Sequence, residues 1–170
     1  MRMFSAIYPS PETVEAVLDR LPPGFRHSAP DRWHITLAFH PDVSPNRVEA
    51  LEERLSEVAG THEPFTVRLA GAGRFGPVSW LGVEGEYPDD TADLMNLARA
   101  ARRAATGAHI TTDRRPYLPH VTLARDDGAL ANALHGYEGP LWQVDEIRLI
   151  NSHLGPRPVH EVLCRLPLAT

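Results

Sequence analysis

An α+β fold made of two equivalent lobes is what this sequence predicts, and three observations carry it. Strand-like and helix-like stretches alternate throughout the 170 residues, the run His34-Ile35-Thr36-Leu37-Ala38 returns as His120-Val121-Thr122-Leu123-Ala124, and no linker or low-complexity segment divides the chain. The two copies are 86 residues apart (120 − 34 = 86), about half the chain. Each alternates polar and apolar residues, so as a strand it puts the His and the Thr on one face and Ile35/Leu37 or Val121/Leu123 on the other. Two such strands predict lobes related by a pseudo-two-fold, with both His strands lining one groove. Residues 1–170 read as one structural domain.

The elements follow in order. Residues 2 to 8 read as a strand; Ser10, Pro11 and Glu12 then supply an N-cap, a proline for the first turn and an early acid. The helix they start turns Val14, Val17, Leu18 and Leu21 inward, and Pro22-Pro23-Gly24 stops it. After the first His strand, Ser44 and Pro45 begin a second helix with Val48, Leu51, Leu55 and Val58 inward, ending at Gly60. Residues 65 to 70 and 78 to 83 alternate as a strand pair around Gly71-Ala72-Gly73. Residues 89 to 106 form the longest helix, with Leu94, Leu97, Ala98 and Ala101 on one side and Gly107 as cap. Its Arg99, Arg102 and Arg103 read as a solvated face that complements the helix dipole. Beyond the second His strand come a short helix from Ala129 to Leu134 and strands at residues 142 to 152 and 159 to 166.

Composition bounds the function. A chain of this length buries roughly 70% of its unfolded surface, enough for a real core. With 42% hydrophobic and 23% charged residues and no long apolar run, neither a disordered nor a membrane-embedded protein is expected. The N-terminal apolar segment is too short for a signal peptide, which predicts a cytoplasmic location. The single cysteine, Cys164, excludes an intrachain disulfide and a cysteine-built metal cage and reads as a buried thiol. A net charge of −5 gives no general footprint for long nucleic acid, so any such contact is local. The 17 cationic residues are all arginine, which excludes a lysyl-adenylate, a Schiff base and a Walker lysine. Arginine remains available for two-pronged phosphate contacts.

The duplicated motif has its own chemistry. Histidine gives or takes a proton near neutral pH, and a threonine hydroxyl beside it donates to an oxyanion, so two pairs suit one phosphate held between them. Cleaving a phosphate ester with water needs one group to take a proton from water and another to give one to the departing oxygen. His34 and His120 fill both roles, with Thr36 and Thr122 on the equatorial oxygens. His27, His40, His62, His109, His135, His153 and His160 are scattered, without metal-ligand spacing, and read as surface or capping residues; no metal and no cofactor is expected.

Taken together, the N-terminal strand, both His-x-Thr-Leu motifs, Gly71-Ala72-Gly73-Arg74-Phe75, Trp80-Leu81-Gly82-Val83 and Pro119-His120 make the chain similar to the two-histidine phosphoesterases. It most resembles their RNA 2′,3′-cyclic phosphodiesterase branch, the LigT-like proteins. The resemblance spans nearly the whole chain and implies a bilobal α+β fold in which two antiparallel sheets face a central groove, with helices packed outside. It implies hydrolysis of a cyclic phosphate at an RNA 3′ end to a 2′-phosphomonoester without a metal, His34 being proton donor to O3′ and His120 proton acceptor from water. Arg125 stands where the family often has an arginine, and a phosphate contact is its implied role, against a surface ion pair. Tyr117 and Phe39 offer ring faces to a base, or else belong to the core. Phe39-His40-Pro41 departs from the more usual Phe-Leu-Gly and places an extra histidine, His40, at the groove rim. Partners are then RNA 3′ ends or small cyclic-phosphate nucleotides, with no membrane and a monomeric state. Two other classes stay open: an end-joining transferase making 2′-5′ linkages, and a non-catalytic module that binds phosphorylated ends.

Overall fold

The computed structural model describes residues 1–170. Helix α1 (Pro11–Arg20) starts where expected, the Ser10 hydroxyl accepting from the Thr13 amide at 3.2 Å. Its buried residues are Thr13 and Val17, and Leu18 is 37% exposed rather than inward. The stripe is rotated because Thr13 and Val17, one turn apart, take the inner position, with Val14 and Leu21 at its margin. Helix α2 (Val48–Gly60) follows a 3-10 turn at Pro45–Arg47 and is closed by His62, whose Nδ1 meets the Val58 carbonyl at 2.8 Å. Helix α3 (Pro88–Gly107) is started by Asp90, which accepts from the amides of Tyr87 and Thr66 and so ties the helix to a strand. Helix α4 (Ala129–Ala133) follows Asp126, whose carboxylate accepts from the Leu130 and Gly128 amides and the Ser79 hydroxyl.

The strands are β1 (Met3–Ile7), β2 (Ile35–His40), β3 (Phe65–Phe75), β4 (Val78–Gly85), β5 (His120–Arg125), β6 (Trp142–Val144), β7 (Glu146–His153) and β8 (Val159–Pro167). The expectation of two separate sheets is corrected. All eight strands form one antiparallel sheet in the order β6-β3-β4-β5-β2-β1-β7-β8. It nevertheless divides into two groups of four, because β2 and β5 meet only at the pair Ile35↔Val121. The single strand expected at 142 to 152 breaks at Asp145, where the chain passes from β6 on one outer edge to β7 in the other half. Helix α3 packs on β2, β3 and β4, α2 on β7, β8 and α3, and α4 on β3 and β4. A single cluster of buried residues runs beneath both halves, and Cys164 is half-buried at its edge. No helix is long and apolar enough to cross a membrane.

Two β-bulges decide what the groove presents. In β2, Ala6 pairs with Thr36 and Ser5 with Ala38, leaving Leu37 as an extra residue; in β5, Trp80 pairs with Thr122 and Ser79 with Ala124, leaving Leu123. Beyond each bulge the alternation reverses. Ile35, Leu37 and Ala38 therefore belong to the main core, as do Val121, Leu123 and Ala124, while Phe39 turns to the groove side with Phe4, Ala6 and Ile150.

The same reversal corrects the placement of His40. It is not at the groove rim but fully buried, beside the backbone of Thr111 and without a well-formed hydrogen bond at either ring nitrogen. Burial pushes its pKa down to about 4. Unfolding releases it to about 6.5, so the unfolded chain binds the extra proton between those values and stability falls as pH drops from 6.5 to 4. The slope is about 1.4 kcal/mol per pH unit from this group. Urea unfolding across that window should therefore be less pH-dependent in His40→Leu than in the parent; an unchanged slope would disprove the assignment.

Candidate active site

His34 immediately precedes β2 and His120 begins β5, so the two lie on either side of the seam between the half-sheets. Both rings are tethered in the same way. His34 Nδ1–H donates to the Arg32 carbonyl at 2.6 Å, and His120 Nδ1–H to the Leu118 carbonyl at 2.7 Å. A carbonyl can only accept, so the hydrogen is on Nδ1 and Nε2 is the nitrogen left to exchange a proton. Thr36 and Thr122 lie two residues on, upon the groove face.

The surroundings of the two rings are similar in shape. Phe4 stacks on His34 with centroids 4.5 Å apart, and His160 meets it edge-on at 5.3 Å. Trp80 lies 5.9 Å from His120, and Phe75 meets it perpendicularly at 5.1 Å. Trp80 occupies this place because Gly73 leaves room for its ring: a Cβ there would be 2.4 Å from the indole. Burial lowers both imidazole pKa values, that of His34 to about 4, and the neighbouring His160, His120 and Arg32 add to the fall at His34.

A cavity of about 650 Å³ opens on the motif threonines, lined by Thr36, Thr122 and His120 with Phe39, Phe75, Tyr117 and Leu118, and ringed by Arg2, Arg102 and Arg115. His34 is set beside it among Phe4, Tyr8 and His160. Tyr117 lines the wall, but its hydroxyl donates to the Thr36 carbonyl at 2.8 Å, and Arg102 lies 5.5 Å over its ring. Phe39 likewise carries Arg2 at 4.5 Å on one face. The loop entering β5 is pinned across the seam by Tyr117 and by the Asp113 amide, which donates to the Phe39 carbonyl. Asp113 also grips Arg115, which holds its carboxyl below the usual range. Arg125 does not line this cavity. Its guanidinium is exposed and without an ion pair, in an adjoining cavity of about 600 Å³ shared with Thr122, Arg26 and His27.

Residues 9–156 match the family model of the 2′-5′ RNA ligase superfamily. The chain belongs to that superfamily. A Geobacillus stearothermophilus relative named RNA 2′,3′-cyclic phosphodiesterase is 34% identical over 147 residues, 80% of this chain and 45% of its own. The chain thus spans less than half the length of that relative. An Escherichia coli relative of the same name is 34% identical over 134 residues, covering 74% of this chain and 72% of its own. Among solved structures, Escherichia coli LigT complexed with 3′-AMP has a TM-score of 0.80 at 29% identity, over 99% of this chain and 98% of that one.

Sequence reasoning missed several groups that the fold brings to this candidate site. Arg102, assigned to a solvated helix face, lines the cavity and donates to the Arg115 carbonyl at 2.9 Å. His160, assigned to the surface, touches His34. Phe4 and Arg2 sit on β1 and its N-terminal flank, and the antiparallel pairing of β1 with β2 puts them beside the motif strand. Phe75 closes the Gly71–Phe75 motif, yet its backbone pairs with Val78, and only the assembled site brings its ring to His120.

Proposed function

We propose that the protein hydrolyses 2′,3′-cyclic phosphate ends of RNA to 2′-phosphomonoesters, using the two motif histidines and no metal. The observation that carries this is the identical tethering of His34 and His120 on strands that meet at one seam, which leaves one exchangeable nitrogen on each ring. The names of the curated relatives support the same substrate class.

In this reading His120 Nε2 takes a proton from water as its oxygen bonds to phosphorus. The P–O3′ bond breaks, and His34 Nε2 gives its proton to O3′, leaving the phosphate on O2′. Thr36 and Thr122 donate to the equatorial oxygens as charge builds there, and Arg125 contacts the phosphate from the adjoining cavity. Phe39 and Tyr117 border the space for the base. Burial keeps His34 neutral near pH 7 in the free protein. The phosphate anion supplies the opposing charge that lets it hold a proton, so substrate binding itself arms the acid.

Incubating the protein with an RNA bearing a 2′,3′-cyclic end, and following products by phosphorus NMR, should give a 2′-phosphate at the same rate with and without excess EDTA. Loss of activity with chelator and recovery on adding metal would overturn the metal-free mechanism. A 3′-phosphate product would exchange the roles of the two histidines.

A further inference from the structure

The two halves of the site differ at one place where their geometry is alike. Each motif histidine is met edge-on by a ring from another strand: His120 by Phe75 of β3 at 5.1 Å and 90°, His34 by His160 of β8 at 5.3 Å and 79°. A phenyl ring suffices to hold His120. On the other side an ionisable ring does the same work.

Resting on the hydrolytic reading above, we propose that His160 is a positioning residue for the acid: it wedges the His34 ring against Phe4 and competes with it for a proton. Three rings make the wedge. Phe4 and His34 are nearly parallel, with 21° between their planes, and His160 stands perpendicular to both, 5.1 Å from Phe4 and 5.3 Å from His34. Its Nδ1 is shut off from solvent and has no hydrogen-bond partner, so no structural hydrogen bond at that nitrogen accounts for a histidine here. Residues 4 and 160 both lie outside the span matched by the superfamily model.

The competition follows from charge. His160 is faced by Arg32 and Asp31 from the loop before β2 and by Arg2 from the flank of β1; Glu161, next along β8, turns to His153. Tyr8, which also leans on His34, is held by Arg148 at 4.4 Å, and burial pushes its hydroxyl up to about 12, so it stays neutral. His34 is the more enclosed of the two imidazoles, so a proton entering this side settles first on His160, and the resulting cation opposes charging of His34. The two rings titrate as a coupled pair.

His160→Phe keeps the wedge and removes the charge; His160→Ala removes both. Proton NMR of the His34 ring gives its titration directly and does not depend on turnover. The expected result is a rise in the His34 midpoint of roughly half a pH unit in His160→Phe. In hydrolysis of a 2′,3′-cyclic end, the alkaline limb of kcat/KM should move upward with it. His160→Ala should lower kcat about 10-fold with KM little changed, through loss of ring alignment, and His160→Phe should restore most of it. An unmoved His34 midpoint in His160→Phe overturns the competition, and an undiminished kcat in His160→Ala overturns the wedge. Should the parent protein open no cyclic phosphate, the hydrolytic reading fails while the NMR midpoint still decides this one.

Discussion

Replacing His120 by Ala should lower kcat/KM for a 2′,3′-cyclic RNA end by on the order of 10²-fold or more, and replacing His34 by Ala should cost as much. The two losses differ in their dependence on pH. The parent profile should be bell-shaped, because in the proposed mechanism one ring must be neutral and the other charged in the same turnover. Without His120 the acidic limb flattens, since no base remains to be protonated out of action; without His34 the alkaline limb flattens. Both act in one step, so the double variant should lose far less than the product of the single losses. Thr36→Val and Thr122→Val should slow the reaction and leave both limbs in place, because a hydroxyl donates without titrating. A single His variant with near-full activity and an intact bell would refute the two-histidine mechanism for this protein.

The largest stability effect should come from Trp33→Ala, one residue before His34. Trp33 is 1% exposed, and its indole N–H donates to the Ser28 hydroxyl at 3.0 Å. That hydroxyl donates in turn to the Leu123 carbonyl at 3.1 Å, joined there by the Ser28 amide at 2.7 Å. The loop before the first motif is thereby fastened to the strand of the second. Truncating the indole should cost about 3–5 kcal/mol, through the cavity left behind and the loss of the donor to the Ser28 hydroxyl oxygen. For a chain of this size that is roughly a 6–15 °C drop in Tm. Calorimetry showing a drop of only a degree or two would mean that the loop is held elsewhere. Trp33→Phe retains most of the burial and loses only the hydrogen bond, so it should fall between.

What the sequence revealed and what it hid have a common physical origin. Helix starts were legible where Ser10, Pro11 and Pro45 act within a few residues of themselves, and the two motifs were legible because they repeat. Alternation correctly placed His34, Thr36, His120 and Thr122 on one face. It failed one residue later at Leu37 and at Leu123, since a bulge is a property of the paired strand and not of the strand that carries it. That is why His40 lies in the core, and why Phe39 and Arg125 reach the groove side although simple alternation would bury them. His160 and Arg102 escaped notice for another reason: each arrives from an element remote in sequence, and only the assembled sheet brings it near a motif. The single sheet was hidden as well, because one pair of residues joins its halves.

That seam also orders events during synthesis. The half-sheet bearing His120 is assembled from β3, β4, β5 and β6, which occupy one unbroken stretch of chain from residue 65 to 144. The half-sheet bearing His34 pairs the earliest strands with the latest, Met3 with Asn151 and, beyond them, Asn151 with Glu161. A growing chain can therefore complete the His120 side while the His34 side still lacks β7, β8 and the His160 ring. The long loop closed by that pairing carries a larger closure entropy than any within the other half-sheet. A chain halted at that point would hold a finished His120 side and an unfinished His34 side, so the hydrolysis proposed above would be acquired only once β8 docks.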